Sequence, residues 1–169
     1  MLFRSPLVTR GVTVSGSAIA NPKNIICRIG TPLSELAAAA GGYREEPFKL
    51  IMGGPMMGVA LTDVEIPVIK NTNAFLAFSQ YEDVYSEHPT CIRCGRCVKV
   101  CPMNLLPIYM HMYYQKDMFD ELEKLNVSDC IECGCCSYTC PGRLFLTQTF
   151  RVAKARLRKR ALESKKEAN

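Results

Sequence analysis

Two stretches of the sequence, CIRCGRCVKVCP (91–102) and CIECGCCSYTCP (130–141), repeat one pattern of cysteines. Both fit C-x2-C-x2-C-x3-C-P, and an isoleucine and a glycine recur at the same offsets in the two copies. The alignment selects four cysteines per copy: Cys91, Cys94, Cys97 and Cys101 in the first, and Cys130, Cys133, Cys136 and Cys140 in the second. Cys135 falls where the first copy has Arg96, so it is the surplus cysteine.

This spacing is typical of the cysteine ligands of four-iron clusters. In proteins with two such clusters, the first three cysteines of a copy hold one cluster, and the fourth, followed by proline, holds the other. The sequence therefore predicts two neighbouring [4Fe–4S] clusters. The ligands of the first are Cys91, Cys94, Cys97 and Cys140, and those of the second are Cys130, Cys133, Cys136 and Cys101.

Zinc is the alternative metal for cysteines in this arrangement. A single C-x2-C pair would fit zinc about as well as iron, but two complete motifs closing with Cys-Pro favour iron–sulfur clusters. His88 and His111 stand alone and are assigned ordinary surface or packing roles. Cys135 is interpreted as a small residue tolerated in the loop, with an alternative ligand or a redox-sensitive thiol as the open alternative. Cys27, in a strand pattern, is interpreted as a small buried hydrophobe.

Composition and cysteine distribution limit the class of protein. Hydrophobic residues make up 48% and charged residues 22% of the 169 residues, which is ordinary for a globular protein. Nine of the ten cysteines lie between Cys91 and Cys140 and no signal peptide is recognisable, which favours reduced thiols in a cytoplasmic compartment over a disulfide scaffold. No apolar run is long enough for a membrane span, so partners would have to hold the protein at a membrane.

The sequence before Gln80 is typical of a small α+β domain. A helix is predicted over 31–42, with Thr31 as its cap, Pro32 at its first position and glycines at its end. GGPMMG (53–58) is interpreted as a structural turn rather than a phosphate loop. The predicted strands are 10–16, 24–29, 48–54, 66–70 and 74–78.

The sequence after Pro89 is predicted to be helical around the cysteine loops. The segment 102–129 indicates one or two short helices, with Leu122 and Leu125 on one face. A final amphipathic helix begins at Leu146, has a basic outer face and is expected to fray at its end. Its predicted apolar positions are Leu146, Phe150, Ala153, Leu157 and Ala161.

The sequence resembles a known family well beyond the cysteines. The stretches 9–36, 51–58 and 66–78 resemble the soluble-ligand-binding β-grasp domain, and the segment after it, of the C subunits of Rnf-type ion-translocating electron transport complexes. The stretches 91–107 and 129–141 resemble the dicluster domain of that family, and RVAKA (151–155) its closing helix. The resemblance implies an α+β chain with a β-grasp domain at 1–80, an α-helical ferredoxin-like domain with two [4Fe–4S] clusters at 81–145, and a basic C-terminal helix and tail at 146–169.

The resemblance also implies a function. Such a chain would relay single electrons through its two clusters between ferredoxin, or a similar low-potential carrier, and a nicotinamide or flavin site. It would be bound by other subunits of the complex, peripheral on the cytoplasmic face of the bacterial inner membrane. Family members carry an upstream domain related to the flavin- and NADH-binding subunit of respiratory complex I. FMN and NAD are therefore expected there, and this chain is expected to be a truncated or split form. No catalytic acid, base or nucleophile and no nucleic-acid partner is expected.

Two other functions and one unassigned surface remain open. A cobalamin-reductase-like electron carrier of a metabolic microcompartment would have a similar domain arrangement, and a structural or adaptor protein could use the clusters only to brace its fold. The segment 151–169 carries eight Lys/Arg and two Asp/Glu. It is interpreted as a solvated outer face, with docking of an acidic ferredoxin or an anionic membrane as the alternative, in which charge reversal at Arg156, Arg158 and Lys159 would slow ferredoxin reduction.

Overall fold

Two compact units make up the chain in the structure, which is a computed structural model. It describes residues 6–82 and 89–167. The units are Met1–Val84 and Tyr85–Asn169, and each has a hydrophobic core of its own. His88 lies outside the described residues, as do the last two residues, for which fraying was expected.

The first unit is a mixed five-stranded sheet with one α-helix, which confirms the predicted α+β class. The sheet order is β2-β1-β5-β3-β4, with β1 and β5 parallel and the other neighbours antiparallel. Val12 and Val14 on β1 alternate with exposed or half-buried residues, and they are fully buried in one core with Leu33 and Leu36 of the helix. The elements are β1 Thr9–Ser15, β2 Lys23–Arg28, α1 Leu33–Ala39, β3 Lys49–Met52, β4 Val59–Leu61 and β5 Ala74–Phe78.

Three details of this unit differ from the sequence prediction. The segment 66–70 is not a strand: Pro67 has no N–H to donate to a ladder, and it forms only an isolated bridge with Pro32. Thr31 does not cap α1, because the extended Pro32 is itself the N-cap and leaves Thr31 one residue outside the capping position. The three-residue strand Val59–Leu61, too short to give a sequence pattern, was missed. GGPMMG forms the turn between β3 and β4, as predicted.

The second unit is helical, as predicted. Leu122 is fully buried and Leu125 packs against the same core, which confirms their shared face. On the last helix the apolar stripe is buried as far as Leu157, but Ala161 is exposed, as is every described side chain from Arg158 onward. The helices are α2 Arg96–Lys99, α3 Pro107–Gln115, α4 Phe119–Lys124, α5 Cys135–Tyr138 and α6 Leu146–Glu167.

The cysteine repeat extends to the backbone. In both copies a loop leads into a short helix and then into a longer one, so α2 corresponds to α5 and α3 to the start of α6. Equivalent residues share left-handed conformations, which non-glycine residues adopt rarely. The pairs are Arg93 and Glu132 (φ 55° and 58°), Gly95 and Gly134 (73° and 84°), and Asn104 and Arg143 (both 53°). The unit is therefore a structural duplication.

Among the residues that the structure describes, no helix combines the length and apolar character needed to cross a bilayer.

Candidate iron–sulfur centres

Two cavities in the second unit are each lined by four of the predicted ligand cysteines. The empty space at them, open solvent included, is about 340 Å³ for the first cavity and about 370 Å³ for the second. The first cysteine ring consists of Cys91, Cys94, Cys97 and Cys140. The second cysteine ring consists of Cys101, Cys130, Cys133 and Cys136, with Cys135 also on its cavity wall. Each ring thus combines three cysteines of one loop with the fourth cysteine of the other.

The loop backbone explains how three thiols of one loop reach the same cavity. Left-handed Arg93 and Gly95 reverse the chain between the cysteines, and α2 then carries Cys97 on its first turn. A Cβ at Gly95 would meet nothing within 4 Å, so glycine is favoured there by its positive φ rather than by a lack of space. Gly142 is different, because a Cβ there would overlap the carbonyl oxygen of Thr90. This close approach brings the chain after the second loop against the start of the first.

The lining of both cavities suits a sulfur-ligated cluster. The candidate donors of each ring are thiols, the soft ligands that iron–sulfur clusters take, and the surrounding walls are largely apolar. The backbone N–H of Leu105 donates a hydrogen bond to Cys101 Sγ at 3.3 Å, a contact that influences the reduction potential of a cluster. Within residues 6–82 and 89–167, no three His, Cys, Asp or Glu side chains are placed to hold a single metal ion. Each ring instead surrounds an open cavity, and we conclude that its residues fit a [4Fe–4S] cluster.

The pKa of a cysteine in either ring is affected by other cysteines of the same ring. Burial raises the pKa of Cys97, and negative charge on Cys140 and Cys91, from the same ring, would raise it further. Burial likewise raises the pKa of Cys130, and Cys101 of the second ring adds to that increase. Free thiols with a raised pKa stay protonated at neutral pH, and metal coordination would displace the proton.

The second ring has a hydroxyl group beside it, and no hydroxyl side chain lies among the described residues that line the first cavity. Cys136 is 9% exposed, and burial raises its pKa to about 11 despite a hydrogen bond with Thr147 that lowers it. The Thr147 N–H donates to Ser137 Oγ at 2.9 Å, which holds α6 against α5. In the first copy the position of Thr147 is taken by Ile108, which lines the first cavity.

An ion-pair network ties the second loop to α6. The Glu132 carboxylate accepts hydrogen bonds from Lys154 at 2.7 Å and Arg151 at 2.9 Å, and Lys154 also donates to the carbonyl of Cys130 at 2.9 Å. The hydrogen bond from Lys154 is the main cause that lowers the pKa of Glu132. Arg93, the equivalent residue of the first loop, is exposed.

Sequence reasoning missed the surroundings of the rings. Thr147, Glu132 and Lys154 were not among the predicted site residues, although the mismatch of Thr147 with Ile108 between the copies was a usable signal. Cys135 lies beside Cys133, and a side-chain hydrogen bond between the two thiols raises the pKa of Cys135. The contact leaves both interpretations of Cys135 open.

Two family models match the chain. Residues 83–141 match the 4Fe-4S dicluster domain and residues 12–60 match the SLBB domain. The first match confirms the prediction of two [4Fe–4S] clusters, and the second confirms that of a soluble-ligand-binding domain. The assignment of individual thiols to clusters stays a prediction.

Curated relatives match most of the chain. It is 44% identical over 158 residues to the C subunit of the ion-translocating oxidoreductase complex of Rhodobacter capsulatus, covering 94% of this chain and 30% of that protein. It is 43% identical over 125 residues to the C subunit of the proton-translocating ferredoxin:NAD(+) oxidoreductase complex of Clostridium ljungdahlii, covering 73% and 27%. It is 44% identical over 154 residues to the C subunit of the Na(+)-translocating ferredoxin:NAD(+) oxidoreductase complex of Acetobacterium woodii, covering 91% and 35%. The chain therefore spans about a third of the length of these relatives.

Proposed function

The chain is a homologue of part of the C subunit of ion-translocating oxidoreductase complexes, and we propose that it relays single electrons within such a complex. The electrons pass through two [4Fe–4S] clusters, between ferredoxin and a nicotinamide or flavin site. The observation that carries the proposal is the pair of cysteine rings, each built from both loops. Because each loop contributes to both rings, clusters held by them lie close enough together for electrons to pass between them.

In this proposal the chain's residues hold and tune the clusters rather than perform acid–base chemistry. The eight ring cysteines are the ligands, and the clusters supply one-electron redox chemistry. The Leu105 N–H and the Thr147 hydroxyl donate to ligand sulfurs of the second ring. Apolar side chains such as Leu144 and Phe150 line the cavities. Hydrogen bonds to sulfur and burial are the means by which a protein sets a cluster's potential.

The proposal also covers the setting of the chain. The relatives are named as subunits of complexes, two of them as ferredoxin:NAD(+) oxidoreductases. We propose that other subunits hold this chain on the cytoplasmic face of the membrane, and that FMN and NAD bind elsewhere in the assembly. The SLBB domain then serves as a docking or spacing module.

Anaerobic reduction of the chain by ferredoxin tests the relay. Reduced ferredoxin is mixed with the cluster-loaded chain, and absorbance and EPR follow the clusters. We expect both clusters to accept one electron each and to return them to an added oxidant. Clusters that dithionite can reduce but that neither donate electrons to ferredoxin nor accept them from it would contradict the relay and favour a structural role.

A further inference from the structure

The two cysteine rings differ in exposure. All ten cysteines lie in described residues, and Cys94 of the first ring is the one classed as exposed, whereas Cys136 of the second ring is buried. Ile92, beside Cys94 and on the wall of the first cavity, is 66% exposed, against 52% for the equivalent Ile131 on the wall of the second. Electron transfer between proteins requires a short distance between centres, so the first ring is the better placed to exchange electrons with an external partner.

Three cations lie within five residues of Cys94 in the first loop and on α2. Arg93 lines the first cavity, and Arg96 and Lys99 lie one turn apart on α2. All three side chains are exposed, and none has an ion-pair partner among the residues that the structure describes. The loop between Cys91 and Cys101 contains no Asp or Glu to offset them. Within the described part of the chain, their charge therefore faces solvent without an ion-pair partner.

The equivalent positions of the second loop do not repeat this charge. They hold Glu132, Cys135 and Tyr138, and Glu132 is bound by two cations of α6. The cationic edge is thus a property of the first loop and not of the motif.

Fewer cationic side chains of α6 are available to a binding partner than its composition indicates. Arg156 pairs with Asp117 at 3.2 Å and Arg160 pairs with Asp120 at 3.1 Å, both across to the segment around α4. Arg156 also lies over the ring of Tyr114 at 5.6 Å. These contacts pair part of the charge of α6 with acidic residues of its own unit.

We propose that the surface formed by Ile92, Arg93, Arg96 and Lys99 around Cys94, here called the port surface, docks an acidic single-electron carrier protein. The inference rests on the proposed relay and assigns its external contact to the first ring. Each exchange moves one electron between the carrier and the first-ring cluster, so that one is oxidised as the other is reduced and no bond forms or breaks. Unpaired cations steer an acidic partner and raise its association rate, while the exposed isoleucine supplies the apolar contact that interfaces have at their centre.

A charge-matched pair of variants tests this surface in the full, cluster-loaded chain. The port variant is Arg93→Gln/Arg96→Gln/Lys99→Gln. The α6 control is Arg156→Gln/Arg158→Gln/Lys159→Gln, which removes the same number of positive charges from α6. The probe is an acidic 2[4Fe–4S] ferredoxin. Calorimetry with both proteins oxidised measures affinity without electron transfer, and stopped-flow mixing with reduced ferredoxin measures the rate at several salt concentrations.

The port variant is expected to lower the association rate at least about tenfold at low salt, with a smaller difference at high salt. The control is expected to change it less than about twofold. Iron content, dithionite reduction and the cluster potentials of each variant show that the clusters are intact. An Arg93→Glu variant serves as a second probe, because Glu132 adopts the same left-handed conformation in the second loop.

The outcomes separate this inference from the relay itself. If the port variant binds ferredoxin with the affinity and association rate of the wild type, the port surface is wrong but the relay is not contradicted. The same holds if the α6 control loses more affinity or rate than the port variant. Loss of binding to anionic phosphatidylglycerol vesicles with unchanged ferredoxin binding would also overturn it, in favour of a membrane contact. If wild-type clusters do not exchange electrons with ferredoxin, the relay fails, and the calorimetric affinities alone decide the docking.

Discussion

The two cysteine loops share a backbone and differ in what surrounds it. Both reverse the chain at a left-handed residue and a glycine, and both place a cysteine on a short helix. The first loop exposes Arg93 and Cys94, whereas the second is tied to α6 through Glu132. The comparison teaches that one cysteine spacing can give the same loop backbone in two settings, while the residues between the cysteines decide whether the loop carries exposed cations or is tied to a neighbouring helix.

The largest expected effect comes from removing two ligands at once. In the crosswise assignment Cys91 and Cys140 belong to one cluster, so Cys91→Ala/Cys140→Ala should keep the other cluster and about four irons per chain. Cys91→Ala/Cys101→Ala removes one ligand from each cluster and should leave far fewer irons. Anaerobic iron and sulfide analysis of both double variants makes the comparison.

A control shows whether a loss of iron in this experiment results from unfolding of the chain. Near-UV circular dichroism and size-exclusion chromatography should show Cys91→Ala/Cys140→Ala still compact. If Cys91→Ala/Cys101→Ala is the variant that keeps about four irons, each loop holds its own cluster and the crossing is wrong.

A second difference between the two copies lies at one buried position of the longer helix, which holds histidine in the first copy and phenylalanine in the second. His111 on α3 is 9% exposed, and neither ring nitrogen has a hydrogen-bond partner among the described residues, whereas the equivalent Phe150 on α6 is fully buried in the core. Unpaired buried polar groups cost about 1–3 kcal/mol each, so His111→Phe should raise stability by about 1 kcal/mol, or about 4–8 °C in Tm. Phe150→His should lower it by about 3 kcal/mol.

The stability difference between the wild type and His111→Phe should depend on pH. Burial lowers the pKa of His111, so below about pH 6.5 the unfolded chain takes up a proton that the folded chain resists. The wild type should lose stability as the pH falls through this range, and His111→Phe should lose less. Anaerobic thermal unfolding at pH 7.5 and pH 5.5 measures the difference. A lower Tm for His111→Phe at both values would show that the imidazole makes a stabilising contact.

The ion-pair network of the second loop should have a smaller effect. Glu132→Gln weakens the contacts with Lys154 and Arg151, which are partly exposed, and should cost about 1 kcal/mol at pH 7. Because Lys154 lowers the pKa of Glu132, this stabilisation is present above about pH 4.5 and is lost as the pH falls further.

The matched control for this network is Arg93→Gln in the first loop. It changes an exposed residue without an ion pair in the described part of the chain and should shift stability by less than about 0.5 kcal/mol. Equal losses in the two variants would mean that the second loop is no more firmly tied than the first.

The smallest effect is expected at the surplus cysteine. Cys135→Ala should retain about eight irons and the broadened EPR spectrum of two interacting spins, because the second ring is complete without it. Mössbauer spectroscopy of the variant checks the iron environments. A loss of about four irons would identify Cys135 as a ligand.

The sequence predicted most of the fold because its strongest signals are local. The cysteine repeat, the alternation in β1 and the apolar stripe of α6 each depend on residues close in sequence. The strand Val59–Leu61 was missed because three residues give no pattern, and its place comes from pairing with β3. The segment 66–70 was predicted as a strand on its β-branched residues, although Pro67 prevents a regular ladder.

The predicted site residues gather in two rings, but their surroundings could not be read from the sequence. Glu132 and Lys154 are far apart in the chain and meet only because α6 packs across the second loop. The pairing of Arg156 with Asp117 likewise depends on packing, and it bears on docking, which was the alternative interpretation of this basic helix. Tertiary contacts, rather than composition, decide which charges remain available to a partner.

Metal and sulfide content of the chain, purified without oxygen, tests the central claim most directly. The account predicts about eight irons and eight acid-labile sulfides per chain, with the reduced protein giving the broadened EPR spectrum of two interacting spins. Bound zinc, about four irons with an uncoupled spectrum, or disulfides among the ring cysteines would contradict it.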